Sequence, residues 1–488
     1  MSLIREIIIY STLALFTINI LFGLFVVFFE KKNPGAIWAW LMVFLIVPCF
    51  GFMIYLILGF EGKKHKVFEA KYHNDISLHE QFVNKYPQFA QDEKILNTSE
   101  SIIPFKNTQY LNNFITMNKA SGKSIYRQNN DIKLYHEGNS KFADLFQDIA
   151  NAKHFIHIQY YIFRDDKLGT ELMKLLADKA KEGLEVHVIY DGMGNYLNKP
   201  KFKRILTDAG GKLRIFLPPR GVRVNFRNHR KIAIIDGAIG YVGGLNIGNE
   251  YIGKKKKFGF WRDTHIRVYG NAVKDLELRF IMDWNSTKGQ KMELKSMYFP
   301  SINPTQNINM QIISSGPDTK WNNIHNSFFK MVTEANKYLY IATPYFVPDD
   351  SLLVALKSAA LSGIDVRIII PKKPDHLFVH SCSLSYMGEL LEAGVRCYEY
   401  TKGFIHAKVM LMDGMVSTIG TANMDIRSFS LNFEVNSFIY DKDIGTELEK
   451  QFNIDFKYCS EITIDDYNKR SFFQKFKEAF SRLLSPLL

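Results

Sequence analysis

Hydrophobic and polar positions divide the chain into stretches that follow different rules. From Ile7 to Phe29 runs a 23-residue segment without a charged side chain, long enough to cross a ~30 Å hydrocarbon layer as a helix. The polar turn Glu30-Lys31-Lys32-Asn33-Pro34-Gly35 follows. A second uncharged run of 23, Ala36 to Leu58, is closed by Glu61-Gly62-Lys63-Lys64-His65-Lys66. Pro48 and Gly51 lie inside this second run, where membrane helices tolerate them. The pattern predicts a transmembrane hairpin over 1–62, with spans at about 7–29 and 36–58. A secretory signal peptide fits poorly: the apolar core is too long, Arg5 is offset by Glu6, and no small-x-small site follows.

Residues 63–130 are polar and weakly periodic, and read as an irregular juxtamembrane segment. From about Ile132 short apolar runs alternate with helical stretches. His154–Phe163, Leu184–Tyr190, Lys231–Asp236 and His265–Tyr269 read as strands. Thr170–Lys181 and Lys201–Asp208 carry helix-period apolar positions. The same order returns at Tyr338–Phe346, Ser351–Leu361, Ile364–Pro371, Ser383–Ala393, Lys408–Asp413 and Glu434–Tyr440. Strand alternating with helix predicts an α/β sandwich in each half, with one domain over 131–300 and a second over 301–488.

The repeat is sharpest around two histidines. His229, Lys231, Asp236, Gly243 and Asn246 stand at offsets 0, 2, 7, 14 and 17; His406, Lys408, Asp413, Gly420 and Asn423 stand at the same offsets. Upstream, Tyr161-Ile162-Phe163-Arg164-Asp165 is echoed by Tyr345-Phe346-Val347-Pro348-Asp349. This is a duplicated domain.

Charge narrows the partners. Lys+Arg 62 against Asp+Glu 49 gives +13. The first 62 residues hold three basic groups (Arg5, Lys31, Lys32) and three acidic ones (Glu6, Glu30, Glu61), so the whole excess lies downstream. Such a surface favours anionic partners, nucleic acid or acidic headgroups. Four cysteines without a C-x-x-C pair exclude a disulfide-framed secreted fold and disfavour structural zinc. The short turn puts Arg5, Lys63, Lys64 and Lys66 on one side of the membrane, against Lys31 and Lys32 on the other. The positive-inside rule then predicts a cytoplasmic catalytic region.

His-x-Lys on a strand projects both side chains from one face. A lysine and an asparagine amide can hold phosphate oxygens while the imidazole attacks or moves a proton. Two copies supply two histidines for one phosphodiester, a nucleophile and an acid for the leaving alcohol. A lysine at +2 would repel a cation, and no acidic cluster offers oxygen ligands, so no metal is expected.

His229-Arg230-Lys231-x4-Asp236 and His406-Ala407-Lys408-x4-Asp413 match the paired H-x-K-x4-D motifs of the phospholipase D superfamily. The whole chain resembles the bacterial cardiolipin synthases of that superfamily. The hairpin with Asn33-Pro34 and Ala39-Trp40-Leu41, the segments Thr343–Asp349 and Gly403–Lys408, and the terminal Ser485-Pro486-Leu487-Leu488 carry the likeness. The resemblance implies two pseudo-symmetric domains sharing one active site, a phosphohistidine intermediate and no cofactor. Its candidate catalytic set is His229, Lys231, Asp236, His406, Lys408 and Asp413, with the two aspartates bracing the motif rather than touching substrate. Asn246, Asn423 and Thr421 are candidate phosphate ligands. The first copy has Gly244 where the second has Thr421, which puts a hydroxyl contact there in doubt. Glu434 lies where the superfamily carries an acid that orients a histidine, and Asp263 is its counterpart.

The implied function is phosphatidyl transfer between two phosphatidylglycerols, giving cardiolipin and glycerol. His229 is assigned as nucleophile and His406 as acid and base. A hydrolytic phospholipase D is the alternative, and a nuclease a more distant one: no stacking platform is interleaved with the basic residues, so nucleic acid is not an expected partner. Lys254–Lys257 form either a solvated loop or a headgroup contact. Ser471–Leu484 has an apolar face with basic residues opposite, fitting core packing or, better, an interfacial helix on the membrane.

Overall fold

A computed structural model describes residues 2–29, 34–48, 50–56, 62–88, 109–218, 225–483 and 485. The turn at 30–33, the end of the second apolar run, the side chains of Lys63, Lys64 and Lys66, and Pro486–Leu488 lie outside the described residues.

Ser2–Phe29 is one continuous helix, and its Leu3–Phe29 portion is long and apolar enough to cross a membrane. The second run departs from the expected single span. It is helical over Pro34–Ile46 and again over Gly51–Ile54, with the break at Pro48. Proline removes the N–H that would bond Phe44 four residues back. Asn19 of the first helix fills that place: its Nδ2 donates to Phe44 O at 2.7 Å, and its Oδ1 accepts from Phe52 N at 3.0 Å. One buried amide thus satisfies backbone groups on both sides of the break, as a membrane interior requires.

The segment read as irregular is largely helical. Gly62–Lys85 and Gln109–Gly122 are helices, with Phe68, Lys71, Phe82 and Tyr86 buried. The first of them buries so few positions, one of them a lysine, that little apolar period is left to read. Leu111, Phe114, Ile115 and Asn118 of the second, by contrast, are buried at helical spacing.

Two sheets carry the catalytic halves. The first has the strand order Asn130–Tyr135, His265–Gly270, Ile239–Gly243, Lys231–Ile235, Phe155–Tyr160, Glu185–Asp191, Lys212–Phe216. The second repeats it as Asn309–Ser315, Asn432–Tyr440, Val416–Gly420, Val409–Met412, Tyr338–Ala342, Asp365–Pro371, Arg396–Tyr400. It adds Tyr126–Arg127 at one edge and Cys459–Ile462 at the other. In each, the last three shared strands run parallel, joined by helices such as Lys167–Lys181 and Asp350–Leu361. Both sheets are hydrophobic on both faces, as crossover connections demand.

The motif strand and the next strand form a tight hairpin in each half. Asp236 and Gly237 have φ of 52° and 65°, and Asp413 and Gly414 have 54° and 67°. Asp-Gly supplies the two positive-φ residues such a turn needs. Each aspartate carboxylate accepts three backbone N–H groups at 2.8–3.0 Å: Lys153, His154 and Phe155 for Asp236; Asn336, Lys337 and Tyr338 for Asp413. The two belong to the turn at the far end of the motif strand from the histidine. From there they brace the turn and the neighbouring strand through these backbone contacts.

Candidate active site

Each histidine sits on a short segment that pairs with the other half. Arg227–Asn228 runs parallel to Asn432–Tyr440, with Phe433 opposite Asn228, and His229 N donates to Phe433 O at 2.9 Å. Gly403–Ile405 runs parallel to Phe260–Arg262, and His406 N donates to Arg262 O at 2.7 Å. The residue after each acceptor is a carboxylate, so the carboxylates cross. His229 Nδ1 lies 2.9 and 3.0 Å from the Glu434 oxygens. His406 Nδ1 lies 2.8 Å from Asp263 Oδ2. Sheet register makes the two acids equivalent: His265 pairs with Gly243 and Asn436 with Gly420, each two residues beyond its acid.

A carboxylate accepting from Nδ1–H fixes the tautomer and directs the Nε2 lone pair away from the acid; at His406 that nitrogen lies 3.1 Å from Lys408 Nζ. Both rings and both acids are buried. Burial holds the His229 pKa down to about 4, opposed by Glu434 and reinforced by the charges of Lys231 and Lys408. His406 is lowered by burial and then by Lys408, with Asp263 opposing and Lys231 adding. Each lysine thus bears on the opposite histidine, which brings both motifs into one electrostatic unit. Lys231 Nζ and Lys408 Nζ each donate to the carbonyl of their own histidine at 2.7 Å. Lys408 Nζ also lies 3.0 Å from His406 Nδ1. Burial lowers Lys231 to about 7 and Lys408 to about 8.

The remaining candidates divide. Thr421 Oγ1 donates to Glu434 Oε2 at 2.5 Å and accepts from Val435 N. That hydroxyl is engaged by the acid, so as placed it orients Glu434 rather than meeting phosphate. At Gly244 an added Cβ would stand 1.9 Å from Asp263 Oδ1. The shorter acid of the first half occupies the space that the threonine side chain takes in the second, which accounts for the departure between copies. Asn246 is buried, accepting from Ile162 N and donating to Tyr251 OH at 3.3 Å. Asn423 Nδ2 donates to Asp425, while its buried Oδ1 has no hydrogen-bond partner. The Lys254–Lys257 loop is exposed, with Lys255 paired to Glu250.

A supporting layer went unread in the sequence. Arg230, between His229 and Lys231, is fully buried; its Nε donates to Glu434 O at 3.1 Å and its Nη1 to Asp283 at 2.5 Å. Asp283 also lies 3.2 Å from Lys71 of the juxtamembrane helix, whose Nζ reaches Asp75 at 2.6 Å and Asp318 at 2.8 Å. Phe68 of that helix packs edge-on against Phe226 and Phe433, which precede His229 and Glu434. A polar helix with a buried lysine is visible only once its partners, two hundred residues on, are known. Tyr161 lies edge-on to His229, ring centres 4.9 Å apart.

Among the described residues one group has the make-up of a metal site, His157, Glu185 and His187. Glu185 is already held by Tyr298 and Lys295, and His157 Nδ1 by Glu277. No residue of either motif belongs to it.

A duplicated α/β fold in which each copy supplies a His-x-Lys segment and the carboxylate behind the other's histidine defines a phospholipase D-like enzyme. Comparison with known proteins agrees. Residues 145–284 and 328–456 match the family described as cardiolipin synthase, PLD-like domain, and 18–59 match phospholipase D-nuclease N-terminal. A cardiolipin synthase of Listeria monocytogenes serotype 4a is 46% identical over 486 residues, covering 98% of this chain and 99% of that one. One from Staphylococcus aureus strain Mu50 is 44% identical over 478 residues, covering 97% and 95%. A solved phosphatidylserine synthase of Haemophilus influenzae shares the fold at 16% identity and TM-score 0.59, covering 79% of this chain and 100% of that one. The chain belongs to the cardiolipin synthases of the phospholipase D superfamily.

Proposed function

We propose that this protein makes cardiolipin by moving a phosphatidyl group from one phosphatidylglycerol to another. The observation that carries the reading is the pair of buried imidazoles, each with Nδ1 held by a carboxylate of the other half. His229 Nε2 attacks phosphorus and forms an N–P bond; the P–O bond to glycerol breaks, and His406 Nε2–H protonates the departing oxygen. His406 then takes the proton of a glycerol hydroxyl on the second lipid. That oxygen attacks phosphorus, the N–P bond breaks, and His229 is restored. Lys231, Lys408 and the amides of Asn246 and Asn423 hold the non-bridging phosphate oxygens.

The division of labour follows from the surroundings. Glu434 accepts from His229, Thr421 and Asn432, a firmly held counter-charge for a ring that becomes positive when phosphorylated. Lys408, 3.0 Å from the His406 ring, makes the His406 imidazolium a readier proton donor. No step needs a metal or other cofactor, so turnover should persist in chelator.

The catalytic region is proposed to lie in the cytoplasm, with a two-pass anchor, on the charge asymmetry around the hairpin. Protease outside intact cells should leave it uncut; degradation there would overturn the topology. The mechanism is tested by intact mass after incubation with a phosphatidyl donor bearing a good leaving group. His406→Ala should accumulate a phosphatidyl adduct and His229→Ala none; an adduct on the His229 variant alone reverses the assignment. Labelled phosphatidylglycerol should yield cardiolipin with the intact enzyme, whereas phosphatidate as the main product would favour hydrolysis.

A further inference from the structure

The C-terminal helix, Phe472–Leu483, is packed inside out for a helix in water. Its protein-facing side is polar: Glu478 and Ser481 are buried. Glu478 pairs with Arg470 and accepts from Gln474 at 3.1 Å. Arg482 donates to Glu389 at 2.6 Å and lies over the Tyr386 ring. Its outward side is aromatic, with Phe472 76%, Phe473 82%, Phe476 62%, Phe480 48% and Leu483 76% exposed. At ~3.6 residues per turn these five fall within an arc of about 100°. Exposed Lys475 and Lys477 flank it on either edge. An aqueous surface helix turns its apolar stripe to the core; this one turns it away.

We infer that this face is a docking surface for an anionic lipid bilayer, holding the second catalytic half against the membrane. The flanking lysines can lay their alkyl stems along the apolar face and their ammonium groups among anionic headgroups, the arrangement of an in-plane interfacial helix. The chain carries +13 and a membrane-length helix at its other end, so a bilayer is within reach. The location suits delivery of a lipid. The helix rests on Leu377–Glu392, which begins two residues after Asp375. Asp375 accepts from the Tyr345 hydroxyl, and its charge raises the Lys408 pKa. Phe378 on that supporting helix is 53% exposed. In the first half the segment after the corresponding strand exposes Tyr196 and Leu197. Exposed apolar residues thus follow the corresponding strand in both halves, and the C-terminal helix adds its aromatic face on the second.

The inference rests on the lipid-substrate reading only in its activity arm. In the contact arm, Phe476 is replaced by p-benzoylphenylalanine in the full chain, reconstituted in vesicles of phosphatidylglycerol and phosphatidylethanolamine. Photolysis should give adducts of lipid mass at position 476, and none when the probe stands at exposed Gln474 on the opposite side of the helix. Adducts to another segment of this chain or to a second copy, or no lipid adduct, would overturn the inference. In the activity arm, Phe473→Ser/Phe476→Ser/Phe480→Ser should lose at least about fivefold on vesicle-borne substrate, as expected when buried apolar area sets interfacial binding, and nothing on substrate in detergent micelles. Equal losses in both, or none in vesicles, would contradict it.

Discussion

The two catalytic halves share a strand order, a hairpin and a motif, yet they hold their histidines with different parts. Behind His229 stands a glutamate, reached from the second half and gripped by Thr421 and Asn432. Behind His406 stands an aspartate from the first half, with Thr264 N at 2.8 Å and Trp261 Nε1 at 3.4 Å. The longer acid leaves room for a threonine beside it; the shorter one requires the glycine. Lysine placement differs too: Lys408 touches its histidine ring, while Lys231 lies 5.5 Å above Tyr161. Duplication supplied one geometry twice; behind the histidines the halves differ by one methylene in the acid and by a threonine against a glycine, the differences on which the proposed division of labour rests.

The strongest way to break this comparison is to exchange its parts. Gly244→Thr would drive a side chain into Asp263, and turnover should fall by up to about 10⁴, the loss seen when a histidine's orienting acid is spoiled. Thr421→Val removes only a hydrogen bond to a charged group, about 1.5–3 kcal/mol, so a loss of roughly tenfold to a hundredfold should be measured. Comparable losses in the two variants would mean the copies are interchangeable.

Next in size is the support the juxtamembrane helix gives the first motif, where the second has the buried Arg262–Asp455 pair behind Asp263. Lys71→Met strands the buried Asp283 and Asp318 beside Arg230, and stability should fall by about 3–5 kcal/mol in a denaturation series. Adding Asp318→Asn should recover part of it. An unchanged midpoint for the single variant would show that the juxtamembrane helix does not support the His229 side.

The smallest effect is on pH dependence. His229 attacks only when neutral, so kcat/KM should collapse as pH falls through about 4. Departure of glycerol needs the His406 imidazolium and phosphate binding needs the Lys231 ammonium, so kcat/KM should decline in two steps as pH rises. The first comes with His406, which burial and Lys408 hold below the usual histidine range, and the second through about 7 with Lys231. Lys231→Arg keeps its charge, and the upper of the two steps should move toward the about 8 of Lys408 while the His406 step stays. An upper step that stays in place would assign it to another group.

Much of this was legible in the residues because it repeats. The offsets between His229 and Asn246, met again from His406, gave both motifs and both halves, but not the order of strands in the sheets that enclose them. Asp263 and Glu434 were recognisable as acids for histidines, but the exchange between halves was not, since parallel pairing of Arg227–Asn228 with Asn432–Tyr440 leaves no periodic trace. Asp236 and Asp413 were readable as bracing residues, but the Asp-Gly hairpin through which they brace went unread, although an Asp-Gly pair after a strand is a hairpin signal. The juxtamembrane helix stayed hidden because its main anchor, Lys71, reads as a surface residue until Asp283 and Asp318 are brought to it. Pro48 sits in an uncharged run long enough to span, and only Asn19, some thirty residues earlier, shows how the break is accommodated.

The crossed carboxylates are the core of the account, and adduct formation tests them most directly. Glu434→Gln and Asp263→Asn keep shape while removing the charge behind one ring each. With an activated phosphatidyl donor, Asp263→Asn should form the histidine adduct at close to the native rate and release it slowly, so that intact mass shows it accumulating. Glu434→Gln should form little or none. Accumulation in Glu434→Gln, with adduct formation lost in Asp263→Asn, would contradict the pairing of Glu434 with the nucleophile His229.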